Sequence, residues 1–393
     1  MASPNAVDAS VHACRAWASQ HRSSGNKAFV KLDFSNAFNC VDRARALGAV
    51  RNAFPGLARW TQWCYACPST LYFGTHEKCS ASGVQQGDPL GPLLFAAAIQ
   101  PMATELRGIE IGGSNLDLAA FYLDDGFFAG DVEVVSAALH LIQTRSPALG
   151  LALNLSKCEL ILPGASCDKN LAQLFPRSLL VDSDDNSRVR LQGNFDLLGA
   201  AIGDAQHCET FVAERVQAAR PLLAEISDLE DPDVSLRLLR ACGGHCKMVH
   251  TMRTTPPHLV ASALGSFDTA VRQSFCKITG LMPDDAEWQQ AGRSFKHAGL
   301  GLRQCSAHAP GTYLSSVGAS RGLAAAINSE FFPSVAAMGS AASLALESLN
   351  ATLPDEQKLA LDDALRKKKT EVLVWGCRRR WTPATATVGK LSR

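Results

Sequence analysis

The chain has 393 residues, enough for two or three domains, with 47% hydrophobic and 19% charged residues and a formal net charge of +1. That balance excludes wholesale disorder and a polycation, so any nucleic acid must be met by local basic patches. The 13 cysteines, an odd number scattered along the length, fit free thiols in a reducing compartment better than a disulfide scaffold. No basic segment followed by an apolar one marks a leader. The longest apolar run, Leu90 to Ile99, is broken by Gly91 and Pro92 and is too short for a bilayer. The expectation is a soluble, intracellular protein that is neither secreted nor membrane-bound, with nucleus or cytoplasm undecided.

In chain order, Ser3-Pro4 reads as the start of a helix carrying Val7, Val11, Cys14 and Trp17. Ala28 to Asp33 reads as a strand with an acid at its end, followed by a helix capped at Ser35-Asn36 and running through Phe38, Val41 and Leu47. Val84 to Leu90 is a turn into a helix starting near Pro89, which Pro101 should kink or end. Leu118 to Leu123 is an apolar strand, Asp124-Asp125-Gly126 a turn, and Phe127 to Ala129 the return strand. Val132 to Leu149 is a helix closed by Gly150, and short strands at Leu151–Asn154 and Glu159–Leu162 flank Lys157. Residues 163–193 read as a loop and Leu197 to Gly203 as a tight apolar strand. From there the chain turns helical, with Phe211 to Ile226 on one amphipathic helix. It ends in two basic runs, Arg366 to Lys369 and Arg378 to Arg380, most simply a solvated helix face.

Two carboxylates at a hairpin repel each other unless a cation sits between them. Magnesium takes oxygen ligands and leaves room for waters and phosphates. Asp33 ends a strand that could lie beside the hairpin, and three acids on adjacent strands could hold two ions for in-line phosphoryl displacement. Taken singly, an Asp-Asp-Gly turn is ordinarily just a turn; the clusters in their order carry the chemistry.

That order closely resembles the reverse transcriptase family. Lys31-Leu32-Asp33-Phe34-Ser35-Asn36-Ala37-Phe38 is similar to its first catalytic motif. Gln85-Gln86-Gly87-Asp88-Pro89-Leu90 resembles its second, and Phe121-Tyr122-Leu123-Asp124-Asp125 its third. Gly150-Leu151-Ala152-Leu153-Asn154-Leu155-Ser156-Lys157-Cys158-Glu159 resembles the fourth, and Leu198-Gly199 the fifth. The wording is nearest to non-LTR (LINE-type) retrotransposon and group II intron enzymes, over roughly residues 1–205. The resemblance implies an α+β fold: a right-hand polymerase palm of antiparallel sheet with helices (1–205, fingers truncated), a helical thumb-like region (206–325) and an Ala-rich, basic tail (326–393).

The activity it implies is RNA-directed DNA polymerisation with two Mg2+ ions, or Mn2+ in their place, acting on an RNA template, a DNA primer and dNTPs. Asp33, Asp124 and the Phe34 carbonyl would hold the metals with Asp125 beside them. Phe38 would be the gate against a ribose 2′-hydroxyl. Gln86, Gly87 and Tyr122 would line the nucleotide, and Lys157 would be the acid at the pyrophosphate. Only 32 residues precede Asp33, so most of the family's fingers is expected to be missing and little extension is expected from residues 1–393 alone. The alternative is a catalytically inactive retroelement remnant that at most binds nucleic acid. An RNA-dependent RNA polymerase shares the acid geometry but is disfavoured by Phe38. Cys242, His245, Cys246 and His250 have a spacing suggestive of zinc on one helix, a reading not favoured over a structural one.

Overall fold

A computed structural model describes residues 3–182, 184, 186–331 and 340–366. The side chains of both C-terminal basic runs lie outside them. The chain forms two compact units: Met1–Cys208 with Ser320–Phe332, and Glu209–Ala319 with Pro333–Arg393.

The first unit begins with α1 (Ala6–Gln20), β1 (Lys27–Leu32), α2 (Ala37–Cys40), α3 (Arg43–Ala53) and α4 (Pro55–Tyr65). There follow the hairpin β2 (Ser69–Phe73) and β3 (His76–Ser80), then α5 (Gly91–Arg107), β4 (Glu110–Ile111), β5 (Ser114–Tyr122), β6 (Asp125–Asp131) and α6 (Val132–Arg145). β7 (Glu159–Ile161), α7 (Leu171–Leu174), α8 (Arg177–Leu180), β8 (Phe195–Leu197) and β9 (Ala200–Ile202) complete it. Its five-stranded sheet has the order β4-β5-β6-β1-β7, antiparallel at every pairing.

The central strands are apolar on both faces because both are covered. Val30, Leu32 and Phe128 pack with Phe95 and Ile99 of α5 and Leu139 of α6. Phe29, Phe127 and Ala129 pack on the other face with Val11, Cys14 and Trp17 of α1 and with Phe195 and Ile202 of the small hairpin. Phe29 is fully buried and stacks on Phe127 at 5.9 Å between ring centroids, with Phe195 tilted against it at 4.7 Å. A late segment returns to this unit, a return that no local pattern signals. Ala324 and Phe331 pack on Ala9 and Ala13, and Asn328 donates to the Ala13 carbonyl at 3.3 Å.

The second unit is helical among its described residues: α9 (Ala205–Ser227), α10 (Pro232–Leu238), α11 (Val249–Thr254), α12 (Ala261–Thr279), α13 (Asp285–Ala291), α14 (Cys305–Ile327), α15 (Ala341–Asn350) and α16 (Leu361–Arg366). The first residues of α9 and the last turns of α14 count with the first unit. Asp284 and Glu287 form a capping box on α13. Asp268 of α12 accepts from the first amides of α14, Cys305 at 2.6 Å and Ser306 at 2.9 Å.

Several expectations need correction. The hairpin turn is Leu123-Asp124, one residue earlier than an Asp-Asp-Gly turn, and Asp125 and Gly126 already pair in β6. Gly126 serves space rather than turning: a Cβ there would meet the Phe121 ring at 2.6 Å and Leu32 at 2.9 Å. Helix α1 starts at Ala6 behind a left-handed Asn5, not at Pro4. Helix α5 starts at Gly91 and runs through Pro101 to Arg107. The helix expected after Asn36 is two helices, broken at Val41-Asp42, where Asp42 caps α3. Residues 151–154 form only an isolated bridge, Phe34 to Leu153. The stretch 197–203 is not one strand but the end of a hairpin, with Leu198 (φ 48°) and Gly199 (φ 75°) as a two-residue turn of type I′ character. Two short helices, α7 and α8, sit inside the expected loop. Cys242 lies in a π-turn and His245 and Cys246 in a 3-10 turn, so the four zinc-spaced residues do not share one helix.

Phe29→Ala is expected to cost about 3–5 kcal/mol, the range for truncating a buried aromatic. Urea unfolding followed by circular dichroism measures it; a loss below about 1 kcal/mol would show that the α1 face of the sheet is not tightly packed.

Candidate active site

The acids meet because of strand register. β1 and β6 pair from Lys27 opposite Asp131 to Leu32 opposite Gly126; one further step sets Asp33 beside Asp125. Side chains alternate along a strand, so Asp33 and Lys31 follow Phe29, and Asp125 follows Phe127, onto the α1 face. Tyr122 lies opposite Asp125 at the end of the β5–β6 hairpin, with Asp124 in the turn between them. Leu123 holds a left-handed φ of 58°, a conformation that costs a non-glycine residue of order 1 kcal/mol.

The carboxyl of Asp125 is raised above the ordinary carboxylate range. Desolvation by its neighbours is the largest cause, although the residue keeps an exposed side. The charge of Asp124 comes next, with Asp33 adding in the same direction and Lys31 opposing. Lys31 is held by Glu159 of β7 at 2.9 Å, and Arg190 lies 3.4 Å from the other Glu159 oxygen. Among the described residues, no three His, Cys, Asp or Glu side chains are gathered into a ready-made metal-binding set. That holds for the three acids and for the zinc-spaced cluster alike.

The backbone of Asp33 is clamped by residues 152–158. Its amide donates to Cys158 Sγ at 3.3 Å, and its carbonyl accepts from the Asn154 amide at 2.8 Å. The Ser35 amide reaches the Ala152 carbonyl at 2.9 Å. Burial pushes the Cys158 thiol up to about 11, so it stays protonated near neutral pH. Lys157 lies in the turn of this clamp with its side chain exposed.

The Gln86-Gly87 turn has its own support. Arg43 of α3 donates to the carbonyls of Ser80, Ser82 and Gly83, each at 2.9 Å, and lies over the Tyr65 ring at 5.4 Å. The buried Tyr65 hydroxyl donates to Asp88 and accepts from the Gln85 amide at 3.3 Å. The other Asp88 oxygen accepts from the Leu90 amide at 2.9 Å, just ahead of α5. Burial and the Asp88 bond push the Tyr65 hydroxyl up to about 12. Gln86 and Gly87 are exposed, and Gly87 has φ 91°, a conformation natural to glycine.

Phe38 of α2 is half-buried and stacks on Phe95 at 4.8 Å, so part of its ring belongs to the core. Its carbonyl accepts from the Val84 amide at 2.6 Å, which ties the helix after Asp33 to the Gln86 turn. Phe34 is buried, and its backbone bridges Leu153. Sequence reasoning gave no role to Arg43, Tyr65 or Cys158, although Cys158 stands in the fourth motif. Asp88, inside the second, could have flagged that a partner was needed.

A family model described as "Reverse transcriptase (RNA-dependent DNA polymerase)" matches residues 4–202. The Retrovirus-related Pol polyprotein from type-2 retrotransposable element R2DM of Drosophila melanogaster is 27% identical over 177 residues, 43% of this chain. The chain spans 17% of that relative's length. Among solved structures, telomerase from Candida albicans in complex with the TWJ fragment of telomeric RNA overlaps 84% of this chain and 55% of its own, at 9% identity and TM-score 0.37. Apo telomerase from Candida tropicalis overlaps 88% and 57%, at 11% identity and TM-score 0.40.

Tyr65→Phe removes the hydroxyl shared by Gln85 and Asp88. The expected loss is about 1–3 kcal/mol, the scale of a hydrogen bond to a charged group. Hydrogen exchange should quicken in residues 84–90 and stay unchanged in β1 and β6. Unchanged exchange in that turn would show that the hydroxyl does not hold it.

Proposed function

We propose, since this chain belongs to the reverse transcriptase family, that it carries the nucleotidyl-transfer site of an RNA-directed DNA polymerase of a non-LTR retrotransposon. The observation that carries the reading is the β1–β6 register, which sets Asp33 beside Asp125 at the hairpin holding Asp124. Divalent cations suit this place on the chemistry of its donors. The groups are hard oxygen ligands of one sign; burial first, and then the charges of Asp124 and Asp33, disfavour the Asp125 carboxylate, and a cation would favour it. Asp33 and Asp124 would bind Mg2+ or Mn2+, with Asp125 beside them and the Phe34 carbonyl as a further ligand. Bound there, the ions supply charge neutralisation at the α-phosphate and a more acidic primer 3′-hydroxyl.

The chain's own groups do the rest. The clamp from Cys158 and Asn154 fixes the Asp33 backbone, so its carboxylate has few ways to turn away. Lys31, tied to Glu159, places one positive charge beside the acids. The Arg43–Tyr65–Asp88 assembly sets the turn in which Gln86 and Gly87 line the incoming dNTP, with Tyr122 at the hairpin. Phe38, backed by Phe95, keeps its ring where a 2′-hydroxyl would clash. Lys157, exposed in the turn of the clamp, would give a proton to the leaving pyrophosphate. An RNA template and a DNA primer are the polymers this chemistry joins.

Primer extension on an RNA template tests the reading, with the fingers segment of a relative joined ahead of residue 3. Extension should require Mg2+ or Mn2+. Asp124→Asn should abolish it, because an amide brings no negative charge to the ions; equal extension by both would mean the activity lies elsewhere. Phe38→Val should raise ribonucleotide use relative to deoxynucleotide use by about tenfold, a barrier change of ~1.4 kcal/mol, with metal dependence unchanged. Parallel loss of both substrates would make Phe38 a core residue only.

A further inference from the structure

The second unit carries a feature that the polymerase chemistry does not use. Beside α10, the segment after α13 folds back so that Leu300 and Leu302 both donate their amides to the Ala291 carbonyl, at 2.9 and 3.2 Å. This leaves an open cleft of about 540 Å³ lined by Asp233, Leu236, Arg237, Arg240, Phe295, Leu300 and Leu302. At its mouth Phe295 is 64% exposed, and the Arg240 guanidinium lies over its ring at 4.6 Å. Gly301, with φ 75°, packs under Arg240: a Cβ there would meet the Arg240 side chain at 3.1 Å. Leu300, 42% exposed, adds an apolar wall.

The charge around this cleft is mostly positive: Asp233 is the acid in its lining, set against Arg237 and Arg240. From Trp288 to Gln304 the chain holds Arg293, Lys296, His297 and Arg303 and no acid. Arg237 is tied to Asp233 at 3.0 Å on an exposed helix face, where such a pair is worth little and exchanges easily. Arg240 is left stacked rather than ion-paired among the interactions described. An exposed ring with a guanidinium on it, apolar side walls and surplus positive charge is the combination that takes a base on its π-face and the adjoining phosphate on arginine. A polypeptide would use the apolar walls but not the surplus positive charge, unless it were acidic.

We infer that this cleft is a single-stranded nucleic-acid subsite, with a base stacked at Phe295 and its phosphate on Arg240. It does not depend on the metal chemistry of the acids.

The test uses the full chain in EDTA, with fluorescence anisotropy of a 12-nucleotide single-stranded oligouridine over a range of salt. Arg240→Gln should weaken binding about tenfold and reduce the slope of log affinity against log salt by about one. Phe295→Ala should weaken it about tenfold with the slope unchanged, and Phe295→Trp should restore it. Lys277→Gln removes an exposed cation outside the cleft and should stay within about twofold of the wild type. Asp124→Asn should bind as the wild type does, which separates this result from the fate of the polymerase reading. Wild-type affinity in both Phe295→Ala and Arg240→Gln would leave the cleft to an acidic polypeptide and overturn the inference. So would an equal loss in Lys277→Gln, which would reduce the effect to general charge, and so would no binding by the wild type.

Discussion

The structure depends on one pairing, that of β1 with β6. Both strands are buried on both faces, so a slip of one residue would turn Phe29 and Phe127 away from α1 and Val30 and Phe128 away from α5 and α6. A register held that firmly by packing also fixes what lies at the strand ends, where the packing stops. At one end are Lys27 and Asp131, ion-paired at 3.2 Å. At the other are Asp33 and Asp125, two groups of like charge.

The two ends therefore differ in how their charges are matched. At the Lys27 end, opposite charges satisfy each other, and Asp117 joins them at 2.8 Å. At the Asp33 end the charges are of like sign, and the local interactions hold the backbone that carries them. The backbone of Asp33 is clamped from the 152–158 segment, the hairpin turn places Leu123 in a left-handed conformation, and Lys31 offsets part of the charge. The Gln86 turn is held by side chains remote in sequence, Arg43 and Tyr65, the latter buried in the core on the α5 face of the sheet. The left-handed backbone at Leu123 and the like charge at the strand ends are the features on which the proposed cation site rests.

Much of this was legible in the residues. Apolar runs gave β1 within a residue and the middle of the hairpin, but β5 starts at Ser114 rather than Leu118, and α6 ends at Arg145 with a 3-10 turn carrying on to Leu149; the order of the acid-bearing clusters gave the family. What escaped was tertiary. Gly126 looked like a turn glycine, yet it is small because Phe121 and Leu32 crowd it. Pro101 looked like a helix end, yet α5 carries on through it, packed on its Ile99 and Met102 side. Tyr65, 23 residues from Asp88, has no local pattern to announce it. Residues 320–331 join the first unit through contacts with α1 that only the folded chain reveals. The helical unit was legible as helical but not in its turns, where the zinc-like spacing of Cys242, His245, Cys246 and His250 falls apart.

The claim that Asp33, Asp124 and Asp125 form one divalent-cation site is tested most directly by anomalous diffraction at the manganese edge. The crystals would be grown with Mn2+ and a dNTP. Manganese peaks within coordination distance of the Asp33 and Asp124 carboxylates, about 2.0–2.3 Å, are the predicted result. Manganese bound elsewhere while these carboxylates remain bare beside an ordered triphosphate would contradict it.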